Sequence, residues 1–368
     1  MTTASRRIPL IGVFFLLPSL ALADAGITAL MMVGFLHLVF GNLLIGIGEG
    51  FLISAVFRTR RLRTIFLMIA ANYFSMIVGM FVPWRFMTVF MGEEPLYRLK
   101  LVILAGIALS FFLTVLLEWP FCAVAMKGQQ KKAKRSLLAS LLAQTASYAI
   151  LVPWYYSAGG TAILGHIHID RNLIAQTRPD ATVYYISHGD VCKIRVNGTG
   201  QETVMKLGAT NRSAKLFAQK GGDDAWDLWI TGDPGDKDKR LLLKGFTRNP
   251  VSVWRCGNDA PLGETWDREV GDPPDFRPQN DRDWEVNVFH DEGFRARNRR
   301  TSEYFGVYLD TPFVSWWPDC PVLLPGNRVV FQFGPQIALL DLNQRKIGML
   351  ALGRGPVVVW ESEPSNLP

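Results

Sequence analysis

The sequence predicts a helical membrane domain of four transmembrane helices, arranged as two duplicated hairpins, followed by an all-β extracytoplasmic domain. Three observations support this fold class. Four long apolar stretches lie before residue 158, and each is long enough to cross a bilayer. From residue 181 onward, short alternating strands replace them, separated by Gly, Pro, Asn and Asp. The positive charge is concentrated in the first half of the chain.

The charge distribution excludes two classes of protein. The 368-residue chain has a net charge of +7, and residues 1–160 hold 14 basic and five acidic residues. Because the basic residues lie between apolar segments, they indicate membrane orientation rather than a nucleic-acid-binding surface. A mean hydropathy of +0.15 also argues against a disordered chain. The lipid bilayer is the predicted partner, and nucleic acid is not.

Residues 1–23 have the pattern of a cleavable signal peptide. Arg6 and Arg7 precede an apolar run at 8–17, and the small-residue pattern Ala21-Leu22-Ala23 follows. The alternative is an uncleaved first helix, although Pro18 and the short run make a poor membrane span.

The loops between the apolar stretches predict the topology of the membrane domain, residues 24–157. The stretches lie at about 27–57, 64–84, 100–126 and 136–157. The first and third connecting loops are rich in Arg and Lys, whereas residues 85–99 carry Glu93 and Glu94 beside their two arginines. Basic loops stay in the cytoplasm, so the chain after residue 158 is expected outside the inner membrane, in the periplasm.

The two hairpins align with one another. Glu49-Gly50-Phe51 matches Glu118-Trp119-Pro120-Phe121, and the two basic loops coincide. The segments 71–75 and 143–147 also align, as do the two Val-Pro-Trp sequences at 82–84 and 152–154. The alignment predicts an internal duplication whose copies have the same orientation in the membrane.

Six polar residues occupy equivalent positions in the two hairpins. Counted from the basic loops at 1.5 Å per residue, four of them lie about 13 Å inside the cytoplasmic boundary, and the two serines lie one turn further. The six are Glu49, Asn72, Ser75, Glu118, Gln144 and Ser147. A carboxyl group in hydrocarbon must be neutral, paired or in contact with a wet cavity, so we expect Glu49 to pair with Asn72 and Glu118 with Gln144. The cluster has two interpretations: hydrogen bonds that hold helices together, or a path for protons or cations.

Short strands dominate residues 181–368. Three are predicted at 183–187, 191–196 and 202–205, and three more at 328–333, 336–342 and 346–350. The segment VYYISHGDVCKIRVNGTGQETV resembles a blade of the TolB-type or WD40-like β-propellers, with a Gly-Asp turn and an Asn-Gly turn after successive strands. The likeness covers about 25 residues at each end of this half and implies a small propeller; a two-sheet β-sandwich is the alternative. Further strands are expected near 226–230, 240–243, 251–254 and 304–309, a long loop at 257–283, and a linker at 158–180.

Two further groups of residues bear on chemistry. His166, His168 and Asp170 alternate with isoleucines, so an extended segment would present all three to one side as zinc ligands. They resemble the start of the His-x-His-x-Asp-His signature of metallo-β-lactamase-fold hydrolases, but Arg171 replaces the final histidine and the surrounding α/β order is absent. The alternative interpretation is an amphipathic linker that lies on the membrane surface. Cys192, Cys256 and Cys320 would face the oxidising side of the membrane, where two of the three could form a disulfide.

These observations lead to three functional hypotheses. The first is a non-enzymatic inner-membrane protein whose β domain binds an envelope protein or polymer, with no cofactor. The second is a small proton or cation transporter or channel that uses Glu49 and Glu118; four helices are few for a transporter, so a homodimer would be expected. The third is a metal-dependent hydrolase that uses His166, His168 and Asp170.

Overall fold

A computed structural model describes twelve segments of the chain, residues 27–81, 93–158, 162–208, 214–221, 225–231, 239–249, 251–252, 268–269, 283–289, 293–311, 313–324 and 326–361. The predicted signal peptide lies outside these segments. The chain divides into two compact units. One unit contains residues 1–84 and 107–153, and the other contains residues 85–106 and 154–368.

Four long helices confirm the helical part of the prediction. They are α1 (Ile27–Phe57), α2 (Arg61–Phe81), α3 (Pro95–Ala125) and α4 (Lys132–Ala158). All four contain stretches long and apolar enough to cross a bilayer, so the protein is a multi-pass membrane protein. Pro120 and Pro153 lie inside α3 and α4. Membrane helices tolerate such prolines because neighbouring groups can bond the freed carbonyls.

Two glycines bring α1 and α2 into close contact. A Cβ atom at Gly50 would lie 2.5 Å from the Cα of Ile65, and one at Gly46 would lie 2.7 Å from the Cα of Ile69. Gly48, between them, has nothing within 4 Å of its Cβ position. Small residues one turn apart allow helix backbones to approach in membranes, where apolar side chains give little preference for protein over lipid.

The second unit is rich in β-structure, which confirms the expected β domain. Its two short helices are α5 (Ala162–Gly165) and α6 (Leu173–Gln176). Its strands, in chain order, are β1 (His168–Ile169), β2 (Ala181–Ser187), β3 (Asp190–Arg195), β4 (Glu202–Met205), β5 (Lys215–Lys220), β6 (Trp226–Thr231), β7 (Arg240–Thr247), β8 (Val251–Ser252), β9 (Arg268–Glu269), β10 (Trp284–Phe289), β11 (Gly293–Asn298), β12 (Tyr304–Val307), β13 (Leu309–Asp310), β14 (Ser315–Trp316), β15 (Pro318–Leu324), β16 (Arg328–Phe333), β17 (Gln336–Asp341), β18 (Lys346–Leu352) and β19 (Arg354–Trp360).

The described strands form five sheets. Two have five strands, in the orders β1-β18-β17-β16-β15 and β4-β3-β2-β19-β8. The others are β12-β11-β10-β9, β5-β6-β7 and the pair β13-β14. The two segments that resemble propeller blades are therefore consecutive antiparallel strands, but each belongs to a sheet that also takes strands from elsewhere in the chain. The described strands show no closed propeller.

The sheet containing β2 and β19 is buried on both faces. Along β19, Val358 and Trp360 join one apolar core, and Val357 and Val359 join another. The first core includes side chains of β15 to β18, and the second includes side chains of β5 and β6. Successive residues of a strand point to opposite faces, so burial of both faces explains why this strand is continuously apolar.

Within the linker expected at residues 158–180, the described residues 162–180 contribute to the β unit. β1 pairs in parallel with β18, placing His168 beside Lys346 and Ile169 beside Ile347. Ile174 of α6 lies in the first apolar core. The buried apolar side chains of this segment account for its order, because each loses contact with water by packing on the sheet.

Candidate functional site in the helical unit

The structure brings all six predicted polar residues of the helical unit into one hydrogen-bonded network. Glu49 lies on α1, Asn72 and Ser75 on α2, Glu118 on α3, and Gln144 and Ser147 on α4. Both carboxyl groups and both amides are buried, with at most 5% of any of these four residues exposed.

Each carboxyl group accepts a hydrogen bond from the amide of its own hairpin, as expected from the sequence. Asn72 Nδ2 donates to Glu49 Oε2 at 2.7 Å, and Gln144 Nε2 donates to Glu118 Oε2 at 2.6 Å. The Asn72 amide also donates to the backbone carbonyl of Met68 at 3.0 Å. The carboxyl–amide pair therefore joins the two helices of each hairpin.

The serines connect the two hairpins, because each serine hydroxyl bonds the carboxyl group of the other hairpin. Ser147 of the second hairpin donates to Glu49 Oε1 of the first at 2.6 Å. Ser75 of the first hairpin donates to Glu118 Oε1 of the second at 3.2 Å. Each carboxyl group thus receives an amide from its own hairpin and a hydroxyl from the other. The sequence predicted the positions of the serines but not this exchange.

One contact departs from the symmetric pattern. The Gln144 amide nitrogen also lies 3.2 Å from Glu49 Oε1, so it bridges the two carboxyl groups. Asn72 makes no equivalent contact with Glu118 among the described hydrogen bonds. Gln has one more methylene than Asn, which gives its amide the longer reach. Glu49 therefore accepts three donors and Glu118 accepts two.

An apolar core beside the network is built from matching positions of the two hairpins. Ile53 and Phe57 of α1 correspond in the alignment to Cys122 and Met126 of α3, and Ala71 of α2 corresponds to Ala143 of α4. All six side chains are at least 94% buried. The equivalence found for the polar residues therefore extends one to two turns along the helices.

The network contains no basic side chain among its recorded contacts. Glu49 and Glu118 are also the only acidic residues in the described parts of the helical unit, residues 27–81 and 107–153. Amide and hydroxyl groups alone stabilise the two carboxyl groups. A serine hydroxyl can donate to a carboxylate or accept from a protonated carboxyl group, so the same geometry suits both states.

The histidine segment does not assemble as a metal centre. Asp170 forms an ion pair with Lys346 at 3.1 Å and accepts a hydrogen bond from the Asn172 N–H at 2.9 Å. The hydrogen bond from the Asn172 N–H and, to a smaller extent, the one from Lys346 hold the pKa of the Asp170 carboxyl below its usual range. Within the described residues, no group of three or more His, Cys, Asp or Glu side chains could hold a metal ion. The three residues predicted as zinc ligands therefore do not form a metal-binding group within the described part of the chain.

Of the three cysteine pairings predicted from the sequence, only the two that involve Cys256 remain. Cys192 and Cys320 are both buried and are not bridged to each other. Cys192 Sγ lies 3.8 Å from Thr203 Oγ1, and Cys320 Sγ lies 3.5 Å from Asp319 Oδ1. Cys256 lies outside the described residues, so a bridge to it stays a prediction.

The first turns of α3 carry contacts that the sequence did not predict. The Leu96 N–H donates to Gln336 Oε1 at 3.1 Å, and Tyr97 Oη accepts from the Met349 N–H at 3.1 Å. Arg171 forms an ion pair with Glu94 at 2.8 Å and lies over the Tyr97 ring. The start of this helix is thus bound to β17 and β18. The sequence signal for this contact was a polar residue, Gln336, at the start of an apolar strand. The structure shows that its side chain is fully buried.

Comparison with known proteins does not identify a family. No protein-family model matches the chain, and no curated protein matches it.

Proposed function

We propose that the helical unit binds a proton or a small monovalent cation at the Glu49–Glu118 carboxyl pair and carries it across the membrane. The observation that supports this proposal is that both carboxyl groups belong to one buried network, bridged by the Gln144 amide. This ranks the transport hypothesis above the binding-module hypothesis for the membrane unit.

The physical argument rests on charge. An acidic side chain at the centre of a membrane helix costs about 2.5–3.5 kcal/mol by insertion scales, and two carboxylates in one network also repel each other. No basic side chain offsets that charge in the described network. A proton or a bound cation would offset the negative charge of the pair. The liganded pair would therefore be more stable in the membrane than the unliganded pair.

Structural support alone would not require carboxyl groups. Amides and hydroxyls bond helices together without a titratable group, and measured interhelical hydrogen bonds contribute only about 0.6 kcal/mol on average. Two acidic residues at equivalent positions therefore favour ion binding over a purely structural role.

We also infer that the hairpins arose by duplication, because the amide and serine contacts repeat in both.

Flux measurements test this proposal. The full chain would be reconstituted into vesicles containing a pH-sensitive dye, with and without a Na⁺ or K⁺ gradient. We expect a flux that is lost in both Glu49→Gln and Glu118→Gln, because an amide cannot titrate. Thr145→Ala is the matched control: its exposed hydroxyl donates to the Leu141 carbonyl and has no contact with the described network, so flux should persist. Wild-type protein with no flux above empty vesicles would reject transport and leave helix association as the role.

We infer further that the protein resides in the inner membrane with its β domain in the periplasm. Both loops joining the helices of a hairpin are strongly basic, which favours their retention in the cytoplasm. The signal peptide predicted at residues 1–23 would place the start of the membrane domain outside the cytoplasm, and four spans would then return the chain to that side.

A second candidate function concerns the β domain, for which we propose binding of an envelope polymer. The Trp317 and Tyr308 rings are stacked at 6.1 Å with an interplanar angle of 10°, and Trp317 is 39% exposed. Exposed aromatic rings offer flat apolar faces to sugar rings.

We interpret the stacked sheets of this domain as a β-sandwich rather than a propeller, because the consecutive strands β18 and β19 belong to two different sheets.

The polymer proposal can be tested by co-sedimentation of the detergent-solubilised full chain with purified peptidoglycan. The full chain is needed because the start of α3 bonds to the sheet. Trp317→Ala should reduce sedimentation at least severalfold, whereas Leu241→Ala, which removes a similarly exposed apolar side chain from another sheet, should not. Equal sedimentation of both variants and wild type would contradict the proposal.

A further inference from the structure

The two basic loops of the helical unit, taken to include the first turn of the helix that follows (residues 58–63 and 127–135), form one joined surface. Arg63 Nη2 of the first loop donates to the Val124 carbonyl at the end of α3, at 3.2 Å. Gln129 Nε2 of the second loop donates to the Phe57 carbonyl at the end of α1, at 3.1 Å. Each loop thus bonds a terminal carbonyl of the other hairpin's first helix, so the loops lie against each other.

This joined surface carries nine exposed cationic side chains and no acidic one. They are Arg58, Arg60, Arg61, Arg63, Lys127, Lys131, Lys132, Lys134 and Arg135. The described helical unit has no exposed carboxylate to balance them, because its two acidic residues are buried. Arg61 and Arg135 also lie over the rings of Phe51 and Phe57, which holds their charges at the helix ends.

Exposed apolar side chains adjoin the cations. Leu62, within the first basic loop, is 73% exposed, and Phe66, one turn into α2, is 70% exposed. Leu138, early in α4, is 54% exposed. Inorganic phosphate offers no apolar group to such residues. A phospholipid offers both an anionic headgroup and an acyl chain, which distinguishes lipid from free phosphate.

We propose that this surface is a binding site for the headgroups of anionic phospholipids, with the acyl chains against the neighbouring apolar side chains. The site binds them independently of the carboxyl pair. Basic residues near a membrane surface attract anionic lipids individually, so removing each charge weakens binding by about fivefold. The attraction falls as salt is added, because the loops are exposed to solvent.

The test uses the purified full chain in neutral detergent, titrated with phosphatidylglycerol or with phosphatidylcholine of the same acyl chains, and counts bound lipids by native mass spectrometry. We expect a preference for phosphatidylglycerol that decreases with NaCl and is not competed by inorganic phosphate. Lys132→Gln/Lys134→Gln should weaken phosphatidylglycerol binding by about twenty-five-fold. The control Arg98→Gln/Lys100→Gln removes the same charge from the first turns of α3 and should leave binding unchanged.

Leu62→Ser separates lipid from other anions, because it keeps every charge. It should weaken phosphatidylglycerol binding without changing its salt dependence. Equal binding of the two lipids, full competition by inorganic phosphate, or equal loss in both double variants would overturn the proposal. If the Lys132→Gln/Lys134→Gln protein does not fold, the Leu62→Ser result and the wild-type salt dependence still decide it.

Discussion

At the scale of single residues, a buried carboxyl group needs donors from more than one helix. Glu49 receives hydrogen bonds from α2 and α4, and Glu118 receives them from α2 and α4 as well. Depth along the helix, counted from the basic loops, predicted which residues lie at one level. It could not predict which hairpin supplies each hydroxyl, because that depends on the rotation of four helices about their axes.

The serine exchange makes a prediction about stability. Ser147 lies 2.6 Å from Glu49, whereas Ser75 lies 3.2 Å from Glu118 and 3.1 Å from its own helix carbonyl at Asn72. One hydroxyl proton cannot satisfy both acceptors of Ser75. Ser147→Ala should therefore lower the free energy of unfolding by about 1 kcal/mol and Ser75→Ala by about half of that, measured by SDS titration. A larger loss in Ser75→Ala would contradict the assigned geometry.

At the scale of elements, glycine positions determine how α1 meets α2. Gly50→Ala would place a methyl group against the backbone of Ile65, and should destabilise the helical unit by about 1–3 kcal/mol. Gly48→Ala is a matched control on the same helix with open space at its Cβ, and should be neutral or slightly stabilising. Thermal unfolding in detergent measures both. Equal destabilisation by the two variants would show that backbone contact is not the cause.

Strand prediction succeeded where turn residues such as Gly, Asn and Pro border the strand. The predicted strands at 328–333 and 202–205 coincide with β16 and β4. The segment at 158–180 was harder, because its strand has two residues and its pairing partner, β18, is far away in sequence. Sheet order could not be predicted from the sequence for the same reason. Nothing local indicates that β19 pairs with β2, since that contact depends on packing of both faces.

At the scale of the whole molecule, the charge pattern predicts topology. Reporter fusions after Arg63 and after Arg135 should behave as cytoplasmic, and fusions after Glu94 and after Asp180 should behave as exported. Paired alkaline phosphatase and fluorescent-protein reporters distinguish the two sides. An exported signal after Arg135 would contradict the four-span arrangement.

Infrared titration of the full chain in membranes tests the proposal that Glu49 and Glu118 form one proton- or cation-binding centre. A protonated carboxyl group has a C=O stretch separate from that of a carboxylate. We expect a C=O band of the protonated carboxyl groups that changes with pH or added cation and is absent from Glu49→Gln/Glu118→Gln. Because Gln144 bridges the two groups, the band should be shifted in each single variant. Thr145→Ala should match wild type. Identical spectra for wild type and the double variant at every pH and cation concentration would contradict the proposal.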